Sequence, residues 1–357
     1  MIKKYILCLC LALACLLTFS GCGFHDEEEA EGDNVVYVYN WGDYIDPDTL
    51  EQFEEETGIH VVMDEFDTNE SMYPLVAAGG VRYDVICPSD YMIQKMIKHD
   101  LLQPLDFSRL PNARQYVGQA FYKQSETFDP GNIYSVPYCW GTVGILYNRT
   151  MVDDPVDSWD ILWNEKYKNE ILMQDSPRDA YMVALKRLGY SLNTTNPDEI
   201  RQARDMLIAQ KPLVQAYGID DVKDKLVSGE AAMGVIFSGE ALRMMLENED
   251  LAYVVPKEGT NLWIDSWVIP KNSAHVENAH AFIDFMSRPD IALKNFEYLT
   301  YSTPNTAVPE MEEDEDYKDN PVVFPPPEVY EGQETHQDLG EDGDKMYNEG
   351  WIQVKVY

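Results

Sequence analysis

Hydrophobic positions in the first third of the chain switch between short continuous runs and helical spacing. Residues 35–39 form an apolar run that predicts a strand, and 47–57 repeats apolar residues at helical spacing, which predicts a helix that ends at Gly58. The same patterns predict a strand at 59–66, a helix at 71–78 and a strand at 84–87. Strands that alternate with helices through short links are typical of a parallel sheet with helices on both faces.

A second α/β pattern follows further along the chain. The apolar segment 143–148 predicts a crossing from one lobe to another, and 267–270 predicts the return. The other elements are predicted as a helix that begins at 158–163, strands at 171–174, 233–237 and 252–256, and helices at 180–188, 197–209 and 276–286. The tail differs, since 310–327 is acidic and rich in proline and 341–356 predicts a final amphipathic helix or strand. About 320 residues exceed one ordinary core, so two lobes are expected.

The N-terminus has the pattern of an export signal. Two lysines precede an apolar stretch, 5–19, that is too short to span a bilayer and remain there. Phe-Ser-Gly-Cys at 19–22 resembles the lipobox of bacterial lipoproteins, so 1–21 is predicted to be a lipoprotein signal peptide and Cys22 to carry the lipid. Cleavage by the ordinary signal peptidase is the alternative. The acidic segment 22–33 predicts a flexible tether.

Composition narrows the choice of partners. The chain has 63 acidic and 27 basic residues and a formal net charge of −36. This balance argues against nucleic acid, which needs a basic surface, and it attracts cations. Of the six cysteines, only Cys87 and Cys139 remain beyond the signal and the lipobox. They predict two buried thiols, with a disulfide between them as the alternative.

Motifs for catalysis are missing from the sequence, which has no Gly-x-Ser-x-Gly, His-Glu-x-x-His or Gly-x-x-x-x-Gly-Lys. Its histidines are scattered, so neither a metal site nor a cofactor is predicted. Aromatic residues instead stand beside carboxylates at 41–44, 89–91 and 263–265, and two of these segments follow predicted strands, where ligands bind in such sheets. Each pair taken singly has a structural alternative, because aromatic residues fill cores and Asp caps helices. Together they suit an organic polycation, since carboxylates pair with ammonium groups while rings attract the cation and pack against methylenes.

Longer segments carry a family resemblance. They include Tyr-Asn-Trp-Gly-Asp-Tyr-Ile at 39–45, Tyr-Asp-Val-Ile-Cys-Pro-Ser at 83–89, Tyr-Ser-Val-Pro-Tyr at 134–138, Arg-Leu-Gly-Tyr-Ser at 187–191, Pro-Lys-Glu-Gly at 256–259, Trp-Ile-Asp-Ser at 263–266 and Ser-Thr-Pro-Asn at 302–305. In consistent order from about residue 35 to the C-terminus, the chain closely resembles the spermidine/putrescine-binding proteins of ABC importers.

The resemblance implies an α/β, two-lobed fold like that of periplasmic binding proteins, each lobe a mostly parallel sheet flanked by helices, with the ligand in the interlobe cleft. The expected lobes are 34–142 with 264–308, and 143–263 with 309–357. It also implies a monomeric receptor, not an enzyme, that binds spermidine or putrescine and delivers it to the permease subunits of an ABC importer. With the lipid, the expected location is the outer face of the cytoplasmic membrane, which is periplasmic where an outer membrane is present.

The family's binding residues fall on identifiable positions of this chain. By resemblance, the rings that clamp the ligand are Trp41, Tyr44, Tyr91, Trp263 and Tyr301. Acidic positions fall on Asp43, Asp179 and Asp265, of which Asp265 is expected to bind a terminal ammonium, and a hydroxyl position falls on Ser89. Two positions depart from the family, since Ser176 stands where relatives have Asp and Phe237 where they have Trp. A late polar position lands near His336 and Gln337.

Other functions remain as alternatives. A receptor of the same fold for thiamine, iron or an oxyanion would need clustered metal ligands, or helix N-termini and Arg at the cleft. An exported hydrolase would need a nucleophile with an oriented base. A surface adhesin or scaffold is the third alternative. For Asp265, the alternative is a carboxylate that only hydrogen-bonds a nearby turn.

Overall fold

The structure is a computed structural model that describes residues 34–80, 82–218 and 223–356. The predicted signal peptide, the tether and Cys22 lie outside the described residues. The strands are β1 Val35–Trp41, β2 His60–Phe66, β3 Val85–Ile86, β4 Ser135–Asn148, β5 Ile171–Gln174, β6 Val214–Gly218, β7 Met233–Phe237, β8 Leu251–Val254 and β9 Leu262–Val268.

The α-helices cover both faces of the sheet and the loops beside it. They are α1 Pro47–Thr57, α2 Asn69–Ala78, α3 Asp90–Lys98, α4 Pro111–Tyr116, α5 Gln119–Ser125, α6 Pro177–Arg187, α7 Pro197–Gln210, α8 Lys223–Val227, α9 Ser238–Glu247, α10 Val276–Met286, α11 Pro289–Leu299, α12 Val308–Met311, α13 Pro327–Tyr330 and α14 Gly340–Val356. Short 3-10 helices lie at Phe107–Arg109, Trp159–Trp163, Glu165–Tyr167 and Lys211–Leu213.

The strands form one mixed sheet in the order β2-β1-β3-β9-β4-β7-β5-β6, with β8 also paired to β4. The pairs β1/β2, β1/β3, β5/β6 and β5/β7 are parallel, as the alternation of strands and helices predicts. The long strand β4 joins the two halves, because its first part, up to Thr142, pairs antiparallel with β9 and its second part, from Val143, with β7 and β8.

Separate hydrophobic clusters support the two halves of the sheet. In the first half, Phe53 of α1 and Phe282 of α10 pack with Trp267 of β9. In the second half, Trp159 and Tyr181 belong to a cluster that buries α6, α7 and α14 against the sheet. Each half therefore has a core of its own, which is what a two-lobed chain requires.

The helix α1 follows its local sequence signals most closely. The Asp46 side chain accepts a hydrogen bond from the Asp48 amide, Pro47 occupies the first turn, and Gly58 ends the helix with φ of 70°. Because φ is positive, the left-handed conformation at this end favours glycine. The predicted bounds of this helix are confirmed, as are those of β5, β7 and α10.

Other elements differ from their predictions. The segment 267–270, predicted as the return crossing, starts within β9, whose ladder with the first part of β4 already begins at the pair Leu262–Thr142. The segment after Ser158 is a 3-10 helix, whereas the final segment, predicted as a helix or a strand, is a helix. The helix α3 was not predicted, and Ser89 at its start makes no side-chain capping bond.

The two remaining cysteines, Cys87 and Cys139, are both free and buried, as predicted. Within the described ranges, no helix combines the length and the apolar character needed to cross a membrane.

Candidate functional site

A cavity of about 600 Å³ is lined by residues from both halves of the sheet. Its walls come from the carboxyl end of β1, the loop between β3 and α3, the start of α6, the end of β7 and one face of β9. All ten positions that the sequence analysis assigned to the site lie on this wall: Trp41, Asp43, Tyr44, Ser89, Tyr91, Asp179, Phe237, Trp263, Asp265 and Tyr301. The fold thus brings together residues that are up to 260 positions apart, from Trp41 to Tyr301.

Asp265 is the most buried of the predicted carboxylates, at 5% exposure. The Tyr44 hydroxyl donates to its Oδ2 at 2.7 Å, and the Cys139 thiol donates to the Tyr44 oxygen at 3.0 Å. Its other oxygen, Oδ1, has no hydrogen-bond partner among the described residues. A carboxylate held at one oxygen and unpaired at the other is prepared to accept from a cationic ligand.

The surroundings of Asp265 disfavour its charge. Burial raises the pKa of Asp265 to about 6, although the hydroxyls of Ser89 and Tyr44 favour the ionised form. No Lys or Arg contributes to this shift. A bound ammonium would therefore supply the positive charge that the fold does not place beside this carboxylate.

Aromatic rings surround the cavity on several sides. Trp263 lies edge-on to Tyr301, with ring centroids 5.0 Å apart, and edge-on to Phe237 at 6.3 Å. Trp41 is fixed by a hydrogen bond from its indole N–H to the Cys87 carbonyl at 2.9 Å and is tilted against Tyr44 at 6.3 Å. These rings provide apolar walls and electron-rich faces for a cation with an alkyl chain.

Two glycines make room for these rings. A Cβ at Gly141 would lie 2.6 Å from the Trp263 ring, and one at Gly239 would lie 2.2 Å from the Tyr301 ring. Contacts this short are not tolerated, so a side chain at either position would displace a ring. The positions of Trp263 and Tyr301 thus depend on glycine in β4 and α9.

Hydrogen bonds fix the wall that follows β3. Asn69 donates its amide to the Ser89 hydroxyl and to the Tyr91 hydroxyl oxygen, both at 3.1 Å. The Tyr91 hydroxyl in turn donates to Glu70 at 2.9 Å. Ser89 also forms a backbone bridge with Asp265, which places this wall beside the buried carboxylate.

Asp179 has a different environment from that of Asp265. It lies in the first turn of α6, where its backbone amide bonds the Ser176 hydroxyl at 3.4 Å, and its Oδ1 is 3.5 Å from Nε2 of His336. Burial raises the pKa of Asp179, but His336, Ser176 and Arg178 outweigh it, and the pKa lies below its ordinary value. This carboxylate is therefore ionised.

Comparison with known proteins shows which protein family this chain belongs to. The family model described as bacterial extracellular solute-binding protein matches residues 48–325. The chain belongs to this solute-binding protein family. The family is one of transport receptors, and the resemblance drawn from the sequence motifs is confirmed.

Individual relatives of this solute-binding protein are similar over most of their length. The spermidine/putrescine-binding periplasmic protein of Salmonella typhimurium is 36% identical, with 92% of this chain and 93% of the relative covered. The putrescine-binding periplasmic protein SpuD of Pseudomonas aeruginosa is 33% identical, with 92% and 93% covered. The crystal structure of PotD from Streptococcus pneumoniae, a spermidine/putrescine transporter substrate-binding protein, has 43% identity and a TM-score of 0.83 and covers 91% of this chain and 99% of that chain. The predicted two-lobed α/β fold is confirmed.

The structure shows where the two residues that depart from the family, Ser176 and Phe237, lie relative to the cavity. Ser176 caps α6 and does not line the cavity. Asp175 forms an ion pair with Lys355 of α14 at 2.8 Å. Asp175 therefore does not supply the carboxylate that relatives have at the position of Ser176. Phe237 does line the cavity at the end of β7. Asp43 is exposed at the rim, with an unusual φ of 50°.

Other residues of this solute-binding protein also line the cavity but were not assigned to the site, among them Asn69, Asp90 and Glu240. Asn69 lies in the first turn of α2, and Asp90 is 1% exposed, with a pKa raised by burial and by the charge of Asp265. Glu240 accepts from the Tyr301 hydroxyl at 3.2 Å. A signal existed for Glu240, because it follows the carboxyl end of β7, where ligands bind in such sheets. Asn69 had no such signal.

Proposed function

We propose that this solute-binding protein is the extracytoplasmic receptor for a polyamine, spermidine or putrescine, and delivers it to the permease of an ABC importer. The observation that carries the proposal is Asp265, a buried carboxylate with one unpaired oxygen in a cavity walled by aromatic rings. The relatives named for spermidine and putrescine support the same ligand class.

The chemistry of the cavity matches the chemistry of these ligands. A polyamine alternates ammonium groups with short methylene chains, so it needs separated carboxylates and apolar contact between them. Asp265 lies on β9 in the first half of the sheet and Asp179 on α6, which packs against the second half, while Trp263 and Tyr301 supply ring surface. A ligand that engages both halves would also favour closure of the two lobes.

The other ligands fit these walls less well. The cations that line the cavity are engaged by the protein: Arg243 donates to the Tyr298 and Leu299 carbonyls at the end of α11, and Lys223 pairs with Glu240. An oxyanion would have to compete with these bonds. Among the described residues, no group of three or more His, Cys, Asp or Glu is placed to hold a metal ion, so the iron alternative has no supporting site there.

The lobes are proposed to be 34–142 with 264–308, and 143–263 with 309–357. The change of β4 partners between Thr142 and Val143 supports the first crossing point. The protein is further proposed to act as a monomer, without a cofactor and without catalytic activity.

The ligand class can be tested by thermal-shift screening against putrescine, spermidine, thiamine and ferric iron, followed by calorimetric titration of each ligand that stabilises the protein. Stabilisation by the two polyamines alone is expected. Stabilisation by thiamine or iron without a response to either polyamine would refute the proposal.

Binding is expected to weaken in mild acid. Because the pKa of unliganded Asp265 is about 6, an ammonium that needs the ionised carboxylate must displace a proton below that pH. Putrescine affinity is therefore expected to fall about tenfold between pH 7 and pH 5. Calorimetry in two buffers of different ionisation enthalpy would measure the affinity and the proton released together. Uptake of protons on binding at pH 5.5 would contradict this role of Asp265.

Membrane attachment is proposed to depend on Cys22, which follows the small residues Ser20 and Gly21. Substituting Cys22→Ala is expected to move the protein from the membrane fraction to the soluble fraction, because the lipid-bearing thioether cannot form. Cys139→Ala, which removes a buried thiol instead, is the control and should leave the distribution unchanged. Retention of the Cys22 variant on membranes would exclude a lipid anchor at this position.

A further inference from the structure

Arg178, His336 and Asp179 form a row at the edge of the cavity. Arg178 Nη2 lies 3.0 Å from His336 Nδ1, and His336 Nε2 lies 3.5 Å from Asp179 Oδ1. His336 is buried, at 7% exposure, and both His336 and Asp179 line the cavity. The row thus links a permanent cation to a carboxylate of the site through an imidazole ring.

The row determines which nitrogen of His336 carries a proton. An Arg guanidinium only donates hydrogen bonds and stays charged in proteins, so Nδ1 must accept from it. The ring is then neutral, and its single N–H is Nε2–H, which faces Asp179. In agreement, burial and the charge of Arg178 lower the pKa of His336.

Other bonds hold the guanidinium in this position. Arg178 also donates to Asn193 Oδ1 at 2.9 Å and to the Gln337 carbonyl at 3.2 Å, and it lies 5.4 Å from the centre of the Tyr347 ring. These contacts come from three separate parts of the second lobe. The orientation of Arg178 toward His336 is therefore imposed by the fold.

We propose that Arg178 is a positioning residue that keeps His336 neutral, so that Asp179 retains its full negative charge for an ammonium group of the ligand. The inference rests on the proposed polyamine-receptor function. Without Arg178, nothing would require Nδ1 to be an acceptor, and His336 could protonate beside Asp179. The resulting ion pair would compete with the ligand ammonium for the same carboxylate.

The remaining charges near the row do not reproduce the effect of Arg178. Glu334 is the other carboxylate that favours protonation of His336, but it is paired with Lys186 and with the Ser191 hydroxyl. Asp90 of α3 and Asp344 of α14 interact with Arg178. Arg178 is the cation that lowers the pKa of His336.

Calorimetric titration of putrescine at pH 6.5 and at pH 8.0 tests the proposal with Arg178→Gln, His336→Gln and the double variant. For wild type, and separately for His336→Gln, the putrescine affinity is expected to change less than about threefold between the two pH values. Glutamine at position 336 can accept from Arg178 and donate to Asp179, but it cannot be protonated. Arg178→Gln is expected to bind about tenfold more weakly at pH 6.5 than at pH 8.0, because without Arg178 the carboxylates Asp179 and Glu334 would raise the His336 pKa well above its ordinary value. The double variant should lose this pH dependence.

A loss of affinity in Arg178→Gln that is equal at both pH values would make Arg178 merely structural and overturn the proposal. So would a pH dependence that persists in the double variant. Nitrogen-15 NMR of His336 in the wild-type protein provides a test that no variant can compromise, and it should show the neutral Nε2–H tautomer at pH 6.5. Observation of the protonated ring there would refute the proposal. Failure of wild type to bind any polyamine would instead refute the proposed function.

Discussion

Replacing Asp265 with asparagine is expected to weaken putrescine and spermidine binding at least about thirtyfold, because a desolvated ammonium would lose its charged partner. Asparagine keeps the shape of the side chain and can still accept from the Tyr44 hydroxyl. Asp265 is expected to contribute strongly to polyamine affinity because no cation of the protein compensates its carboxylate. Calorimetric titration at pH 7.5 measures the change in affinity.

The unliganded Asp265→Asn protein is expected to melt within a few degrees of wild type. Since the folded pKa of Asp265 lies above its unfolded value, the ionised form is disfavoured by the fold above about pH 6, and its removal does not take away a stabilising charge. Near-normal affinity with a large loss of stability would assign Asp265 to a structural role.

Asp129 offers a matched control for this substitution. It is fully buried and accepts hydrogen bonds from the Ile133, Tyr134 and Ser135 amides, but it does not line the cavity. Asp129→Asn makes the same chemical change where the carboxylate holds a turn. It should lower the melting temperature and leave the polyamine affinity within about threefold of wild type.

Replacing Trp263 with alanine is expected to weaken polyamine binding about a hundredfold, as for a central aromatic residue of a binding site. The ring packs edge-on against Tyr301 and Phe237, so its loss removes one wall and releases the support of the other two. Trp263→Phe should recover part of the affinity, because a smaller ring still offers a face to the cation. Calorimetry of both variants gives the comparison.

Trp163 provides the control for Trp263. It is partly buried, its indole donates to the Met206 carbonyl at 3.1 Å, and Arg187 lies 4.5 Å above its ring, away from the cavity. Trp163→Ala should reduce stability without a specific loss of affinity. If Trp163→Ala and Trp263→Ala weaken binding equally, the effect of Trp263 would be general destabilisation and the predicted clamp would be wrong.

Two of the three predicted carboxylates show how much the site depends on its surroundings. Asp265 has no cation beside it and has a raised pKa, whereas interactions with His336, Ser176 and Arg178 hold the pKa of Asp179 below its ordinary value. Their residue type is the same. The difference arises from partners far away in the sequence, since His336 lies 157 positions after Asp179.

The sequence by itself determined the elements whose signals are local. The helix α1 is specified by Asp46, Pro47 and Gly58 within twelve or so residues, and β5 and β7 by short apolar runs, because capping and periodicity act between neighbours in the chain. The motifs also identified ten residues that share one cavity.

Only the tertiary structure decided how those residues are used. The pairing of β4 with β9 and β7 depends on strands about 90 to 130 positions away and sets which side chains face the cavity. The tertiary structure also pairs Asp175 with Lys355, buries Asp90, brings Asn69 within hydrogen-bond distance of Ser89, and places Arg178 beside His336. These outcomes depend on register and on packing between distant segments, for which local sequence patterns carry no signal.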